Sequence, residues 1–165
     1  MQQSIILTNE QIKNKTKRIA YQIFETNWNE KVIVIAGIVG NGFIFAKKIA
    51  KIVEEISSSK VVLCEVKMDK KNPLKAIKTS IKATEYANKP LVLVDDVLNS
   101  GTTLMYGIKH FLEVPLKQFN TAVLINRNHK KYPVKADFKG ISLSTSILEH
   151  VSVFFDDANS YAILD

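Results

Sequence analysis

The sequence has a single cysteine and no long apolar run. That cysteine, Cys64, excludes an intrachain disulfide and any metal site built from several cysteines. Its place in the apolar run of residues 61–64 predicts a buried, inert thiol. No apolar stretch approaches the about 20 residues that cross a bilayer, and residues 1–4 do not begin a signal peptide. We therefore expect a cytoplasmic protein with no membrane partner.

The sequence is also poor in histidine and has no acidic excess. His110, His129 and His150 are scattered, so they predict neither a catalytic triad nor a metal site. Lys and Arg number 23 against 16 Asp and Glu, which gives a net charge of +7. Such a charge favours anionic partners, either a phosphorylated metabolite or RNA, although it also serves solubility.

Length and patterning predict one domain over residues 1–165. The 165 residues are 46% hydrophobic, which is enough for one core without disulfides or a structural metal. No internal repeat, low-complexity tract or linker divides the chain. A single compact core is therefore expected.

The regular elements alternate along most of the chain. Thr8 and Gln11 have capping-box spacing, which predicts a helix that ends near Asn27, with Trp28 as a partly buried anchor after it. Further helices are predicted at residues 43–56 and 102–112, and strands at residues 31–36, 60–66, 91–94 and 121–125. This order predicts a three-layer α/β fold in which helices flank a mainly parallel sheet. Ligands of such sheets bind outside the carboxyl ends of the strands.

Two segments depart from this alternation. Residues 67–89 are polar, and they predict either a short helix that begins at Asn72 and Pro73 or an extended mobile arm. After Asn126 the chain changes to short extended pieces at residues 141–143 and 151–155, which predict a small C-terminal cap on the core.

The strongest chemical signal follows the apolar strand at residues 91–94. Asp95 and Asp96 come directly after it, where two like charges repel each other unless a ligand compensates them. Such a pair can accept hydrogen bonds from two vicinal hydroxyls or hold water around Mg²⁺. Asp95 and Asp96 could equally begin an ordinary turn.

A small polar loop follows the acid pair and enters a helix. It consists of Asn99, Ser100, Gly101, Thr102 and Thr103. Backbone N–H groups, hydroxyls and the positive end of a helix dipole suit a phosphate, although the same residues also make a common N-cap. Because the loop and the acid pair are a few residues apart, one ligand that carries a diol and a phosphate can contact both. Ribose 5-phosphate is such a ligand.

Residues 94–103 resemble the phosphoribosyl-diphosphate (PRPP) binding signature of type I phosphoribosyltransferases. That signature has an apolar strand, two acids, two apolar residues and a hydroxyl-rich Gly-Thr loop. The branch of bifunctional pyrimidine operon regulators and uracil phosphoribosyltransferases is further resembled by residues 6–11, 36–38 with Gly42, 46–50, 124–130 and 133–138. The resemblance covers most of the chain outside residues 67–89.

The resemblance implies a role for each part of the signature. Asp95 and Asp96 would bind the ribose hydroxyls of PRPP at the catalytic centre, and residues 99–103 would hold its 5-phosphate. The loop of Val39, Gly40, Asn41 and Gly42 would receive the pyrophosphate. Arg127 would lie over the base, or it is simply a solvated surface charge. Mg²⁺ would arrive with PRPP and need no fixed set of protein ligands.

The implied reaction transfers ribose 5-phosphate from PRPP to a nucleobase, above all to uracil. The alternatives are a non-catalytic nucleotide-sensing regulator that binds RNA, and a nucleotide-dependent oligomer with neither activity. A homodimer or higher homo-oligomer is expected in each case.

Two features depart from the family pattern. The pyrophosphate loop has no basic residue, and residues 67–89, which occupy the place of the lid, lack an arginine-rich pattern. Four lysines of that segment could supply the charge instead, unless they are merely solvated: Lys67, Lys70, Lys71 and Lys75.

Overall fold

The computed structural model describes residues 3–165, which form four helices and nine strands. The helices are α1 (Asn9–Thr26), α2 (Asn41–Ile56), α3 (Ala83–Tyr86) and α4 (Thr102–Phe111). The strands are β1 (Ser4–Leu7), β2 (Val32–Ile38), β3 (Lys60–Lys67), β4 (Lys78–Thr79), β5 (Pro90–Leu98), β6 (Gln118–Arg127), β7 (Phe138–Leu143), β8 (Val151–Phe154) and β9 (Tyr161–Leu164). None of the helices in residues 3–165 is both long and apolar enough to span a membrane.

A six-stranded sheet forms the centre of the molecule, in the order β4-β3-β2-β5-β6-β7. Its strands pair in parallel except for β4, which runs antiparallel to β3. The predicted α/β fold with a mainly parallel sheet is confirmed. Since the parallel strands point the same way, their carboxyl ends meet at one edge, where sites of such folds lie.

Helices cover both faces of this sheet. α1 and α2 pack on one face through buried side chains such as Ile19, Ile23 and Phe45. α4 packs on the other face through Leu104 and Phe111, together with Cys64 of β3. Cys64 is fully buried, as predicted, and its burial raises the pKa of its thiol.

α1 begins where the sequence predicts. The Thr8 hydroxyl accepts the N–H of Gln11, and the Gln11 side chain accepts the N–H of Thr8. The capping box is therefore confirmed. The predicted role of Trp28 is wrong, because α1 ends at Thr26 and the following turn leaves the Trp28 side chain 71% exposed.

The predicted boundaries near the site need two corrections. β5 continues to Leu98, so Asp95 and Asp96 belong to the end of the strand and not to a loop. The reason is that β6 pairs with β5 as far as Leu98 and Asn126. The strand predicted at residues 31–36 and the helix predicted at residues 43–56 also stop short of each other, because β2 reaches Ile38 and α2 already begins at Asn41.

Residues 67–79 form a hairpin-like arm at the edge of the sheet. Val66 pairs with Thr79 and Lys67 with Lys78, and residues 68–77 form the tip. The helix predicted from Asn72 and Pro73 is wrong, since these residues belong to an irregular tip with a turn. The regular helix of this region, α3, comes later and has four residues.

The cap differs from the predicted one in its membership. Residues 141–143 belong to β7, which pairs in parallel with β6 and completes the main sheet. The cap is instead a three-stranded antiparallel sheet in the order β1-β9-β8. Ser4 of β1 pairs with Leu164 of β9, so the two ends of the described chain build it together.

Candidate functional site

The acid pair and the polar loop lie in one cleft at the carboxyl end of β5. The cleft has a volume of about 220 Å³. Its lining comes from the end of β5, the following loop, the start of α4, the arm and the cap: Lys70, Asp95, Asp96, Val97, Leu98, Asn99, Ser100, Gly101, Thr103, Leu104 and Val151. The structure thus brings together the predicted acids and most of the predicted phosphate loop.

Asp95 is a buried carboxyl group at the floor of this cleft. It is 3% exposed, and its Oδ1 accepts the backbone N–H of Asp96 at 2.9 Å. Burial, followed by repulsion from Asp96, raises the pKa of Asp95 to about 7. An acid held in this way binds a proton or a positively polarised group near neutral pH, which is a property of ligand sites.

Asn41 connects the second acid to the cap. Its Nδ2 donates to Asp96 Oδ2 at 3.1 Å and to the carbonyl of Val153 in β8 at 2.8 Å. The side chain at the start of α2 therefore orients one carboxylate and holds the cap strand beside it. The sequence placed Asn41 in the loop, but it gave no sign of these contacts.

The loop of residues 99–103 has the form of an anion cradle. Gly101 has a φ of 86°, a conformation that L side chains rarely adopt, and it directly precedes α4. Ser100 Oγ and Thr102 Oγ1 lie 2.9 Å apart, and the Ser100 carbonyl accepts the N–H groups of Lys131 and Tyr132. The hydroxyls and free N–H groups at the start of a helix can bind a phosphate.

Gly42 gives the acid pair the space it needs. A Cβ at this position would be 2.9 Å from Asp95 Oδ1 and 3.1 Å from the carbonyl oxygen of Val94. Because the backbone oxygen is fixed in β5, the Asp95 carboxylate would have to move. The loop of residues 39–42 is therefore packed directly against the acid pair.

Replacing Gly42 by alanine is expected to weaken the binding of a sugar phosphate such as ribose 5-phosphate in the cleft by about tenfold, and to cost about 1–3 kcal/mol of stability by overpacking. Calorimetric titration and urea unfolding measure the two effects. The matched control is Gly107→Ala in α4, where a Cβ would meet Leu93 Cδ2 at 2.9 Å outside the cleft. Equal loss of affinity in both variants would contradict the role of Gly42.

Lys70 reaches the cleft from the arm. Its Nζ lies 3.7 Å from Asp95 Oδ1, and its side chain is 46% exposed. This attraction opposes the rise in the pKa of Asp95. Among the four lysines that the sequence offered, the structure brings Lys70 to the acid pair, while Lys67 pairs with Glu65 and Lys75 with Asp69.

Arg127 is buried, so it is not a solvated surface charge. It is 6% exposed, and its guanidinium donates to Asn99 Oδ1 at 3.0 Å, to Thr145 Oγ1 at 2.9 Å, and to the carbonyls of Ser146 at 3.2 Å and Glu149 at 2.7 Å. Arg127 thus joins the polar loop to the segment of residues 144–150. These four hydrogen bonds all go to protein oxygens.

Two residues of this region were missed by sequence reasoning. Val151 of the cap lines the cleft, and no local pattern predicts that. Asn126 lies opposite Leu98 at the end of β6, is 4% exposed, and has a buried Oδ1 without a partner among the described residues. A polar residue directly after a buried strand was the available signal for Asn126.

The donor set of the cleft suits a divalent cation that arrives with a ligand. Within residues 3–165, no group of three or more His, Cys, Asp and Glu side chains could hold a metal ion. Asp95 and Asp96 offer carboxylate oxygens at one end of the cleft, and oxygen ligands are those that Mg²⁺ prefers. Two carboxylates can complete the shell of a Mg²⁺ ion whose other ligands come from a phosphate compound and water.

Comparison with known proteins agrees with this geometry. Residues 2–157 match the family described as the phosphoribosyl transferase domain. The chain is 29% identical to the bifunctional protein PyrR of Bacillus pumilus over an alignment of 170 residues. This alignment covers 96% of this chain and 93% of the relative. It is 33% identical over 165 residues to the bifunctional protein PyrR of Geobacter sulfurreducens, with 94% and 93% covered.

Solved structures with a similar fold include two phosphoribosyltransferases. A hypoxanthine-guanine phosphoribosyltransferase from Bacillus anthracis superposes with a TM-score of 0.70 at 21% identity, covering 91% of this chain and 87% of that chain. A hypoxanthine phosphoribosyltransferase from Trypanosoma cruzi, in complex with IMP, gives a TM-score of 0.74 at 14% identity, with 98% and 93% covered. At these identities the likeness concerns the fold.

Proposed function

Because the chain belongs to the phosphoribosyl transferase domain family, we propose that it transfers ribose 5-phosphate from PRPP to uracil and releases pyrophosphate. The observation that carries this proposal is the cleft itself. It unites an acid pair, of which Asp95 is buried and Asp96 partly exposed, with a hydroxyl-rich loop at a helix N-terminus. The cleft is about as large as one sugar phosphate. A ligand with a diol at one end and a phosphate at the other fits both groups.

In this proposal the two ends of the cleft have separate tasks. Asp95 and Asp96 accept hydrogen bonds from the ribose hydroxyls, and Asn41 keeps Asp96 in place for them. Residues 99–103 bind the 5-phosphate through hydroxyls and N–H groups. The anomeric carbon would then lie between these two ends, on the open side of the cleft.

The chemistry needs no covalent nucleophile from the protein. The bond from the anomeric carbon to the pyrophosphate breaks as a base nitrogen attacks, and the transition state has oxocarbenium character. The protein's residues orient the sugar and the base, and they exclude water that would hydrolyse PRPP. Mg²⁺, when it is bound with PRPP, offsets the charge of the departing pyrophosphate.

The choice of base rests on the relatives. The curated relatives with 29–33% identity are named PyrR, which supports the pyrimidine branch of the resemblance. The segment of residues 144–150 lies next to the polar loop because Arg127 holds it there. We place the base under this segment, with Arg127 acting as its support and not as a direct base contact.

Chromatography after incubation of the protein with PRPP, Mg²⁺ and uracil tests the proposal. We expect uridine monophosphate and pyrophosphate in equal amounts, with no product when Mg²⁺ is withheld. Hypoxanthine and guanine, offered in the same assay, test the purine alternative. If no base yields a nucleotide, the transfer proposal is wrong.

An RNA-binding regulator is the second candidate, and the net charge of +7 and the bifunctional name of the relatives favour it. If residues of a basic face neutralise phosphates, RNA affinity must fall steeply with salt. Fluorescence anisotropy measures the affinity for a labelled RNA hairpin. The titrations are done at about 50 and 200 mM salt, each with and without uridine monophosphate. Absent or salt-insensitive binding would exclude it.

A further inference from the structure

We propose that the groove between α1, α2 and the turn of residues 156–160 is a second ligand site, which takes a free α-amino acid with an aliphatic side chain. The groove has a volume of about 290 Å³, against about 220 Å³ for the cleft at the end of β5. Among the described residues, the two have no lining residue in common. The inference therefore goes beyond the proposed function and does not depend on PRPP as a ligand.

The floor of the groove is apolar. Ile12 of α1 is 2% exposed, and Ile52 of α2 packs against the same core. Thr16, one turn after Ile12, is 3% exposed, and its hydroxyl already donates to the carbonyl of Ile12 at 2.7 Å. An aliphatic group that lies on this floor is removed from water, which is favourable.

The rim of the groove carries charges of both signs. Its charged residues come from both helices and from the turn, and they are Lys13, Lys48, Lys51, Glu55, Asp156 and Asp157. Within residues 3–165 none of these six takes part in an ion pair. Opposite charges that line one groove without pairing leave both signs to a ligand. A zwitterion satisfies both, whereas a simple anion or cation meets repulsion from one of them.

The turn that forms one wall is fastened to the start of α1. The N–H of Ser160 donates to Asn9 Oδ1 at 3.0 Å, and Asp156 Oδ1 accepts the N–H of Ala158 at 2.8 Å. Asp157 lies inside this turn and has an exposed side chain. Its carboxylate is therefore presented by a backbone that hydrogen bonds already hold.

The wall formed by α2 is fixed against the cap as well. Phe155 stacks on Phe45 of α2, with ring centroids 5.8 Å apart and an interplanar angle of 12°. The ammonium of Lys48 lies 5.9 Å from the centroid of the Phe155 ring. Because these contacts exist without a ligand, binding in the groove needs little further ordering of the protein.

Calorimetric titration with four small probes tests the chemistry of the site. We expect L-leucine to bind at least tenfold more tightly than glycine, which has both charges but no aliphatic group. It should also bind at least tenfold more tightly than isocaproate and isopentylamine, each of which keeps the aliphatic group and one of the two charges. No binding of L-leucine up to its solubility, or tighter binding of inorganic phosphate, would overturn the proposal.

A double variant tests the position of the site. Lys13→Gln combined with Lys51→Gln should weaken L-leucine binding at least tenfold, because it removes two of the three cations of the rim. The matched control is Lys17→Gln combined with Lys47→Gln. It changes the charge by the same amount at exposed positions of the same two helices, outside the groove, and should bind L-leucine as the parent does. An equal loss in both double variants would contradict the assignment.

The Asp95→Asn variant separates this groove from the cleft. Asp95 lines the cleft and not the groove, so the variant should keep the parent's affinity for L-leucine. If L-leucine binding is lost in Asp95→Asn, the amino acid binds in the cleft and the second site is wrong. Failure of PRPP transfer in the parent would leave these titrations unaffected, so the two proposals fail separately.

Discussion

Replacing Asp95 by asparagine is expected to stabilise the folded protein at pH 8 and, at the same time, to weaken PRPP binding at least tenfold. Burial and the neighbouring Asp96 raise the pKa of Asp95 to about 7, so ionisation of this group opposes folding. Asparagine has nearly the same shape, and its Oδ1 can still accept the N–H of Asp96. It removes the charge but also the strong acceptor that a ribose hydroxyl needs.

The pH dependence of stability gives this prediction its sign. A carboxyl whose folded pKa lies above its unfolded value binds its proton more tightly in the folded state. The free energy of unfolding therefore falls as the pH rises from about 4 to about 7, and each tenfold difference in proton affinity corresponds to about 1.4 kcal/mol. In the Asp95→Asn variant this part of the fall should be missing.

Urea unfolding at several pH values and calorimetric titration with PRPP measure both halves of the prediction. Asp157→Asn, in the exposed turn of the cap that follows β8, is the matched control and should change neither quantity. A variant that is less stable than the parent at pH 8 would show that Asp95 serves the fold. A variant that binds PRPP as tightly as the parent would show that Asp95 does not serve this ligand.

Replacing Arg127 by methionine is expected to cost about 2–4 kcal/mol of stability and to weaken PRPP binding. Methionine fills much of the same volume but donates no hydrogen bond. The variant then leaves three acceptors without this donor: Asn99 Oδ1 and the carbonyls of Ser146 and Glu149. Arg127 itself is only 6% exposed, so water has little access to replace it. The polar loop and the segment of residues 144–150 would lose their connection.

Arg18→Met is the control that separates this role from a general loss of arginine. Arg18 also donates to two carbonyls, those of Lys139 and Gly140, but it is on α1 and away from the cleft. We expect a stability change below about 1 kcal/mol and unchanged PRPP affinity. If both variants behave alike in unfolding and titration, the connection through Arg127 has no part in binding.

Much of the site was readable from the sequence because it is local. The acid pair, the polar loop and the start of α4 occupy residues 95–103. A strand that is followed closely by a helix brings such neighbours together without contacts from distant parts of the chain. The sequence therefore predicted this cleft and the parallel sheet around it. Its errors near the site concern boundaries, such as β5 extending to Leu98, where pairing with β6 outweighed the local turn signal.

The sequence by itself determined the helices, the buried strands, their parallel arrangement and the residues at the carboxyl end of β5, because periodicity and capping act between near neighbours. Tertiary structure alone decided that β1 joins β9 in the cap, that Lys70 faces Asp95, and that Asn41 links Asp96 to β8. These pairings join residues that are distant along the chain. Their partners are selected by packing of the whole core, which no local pattern records.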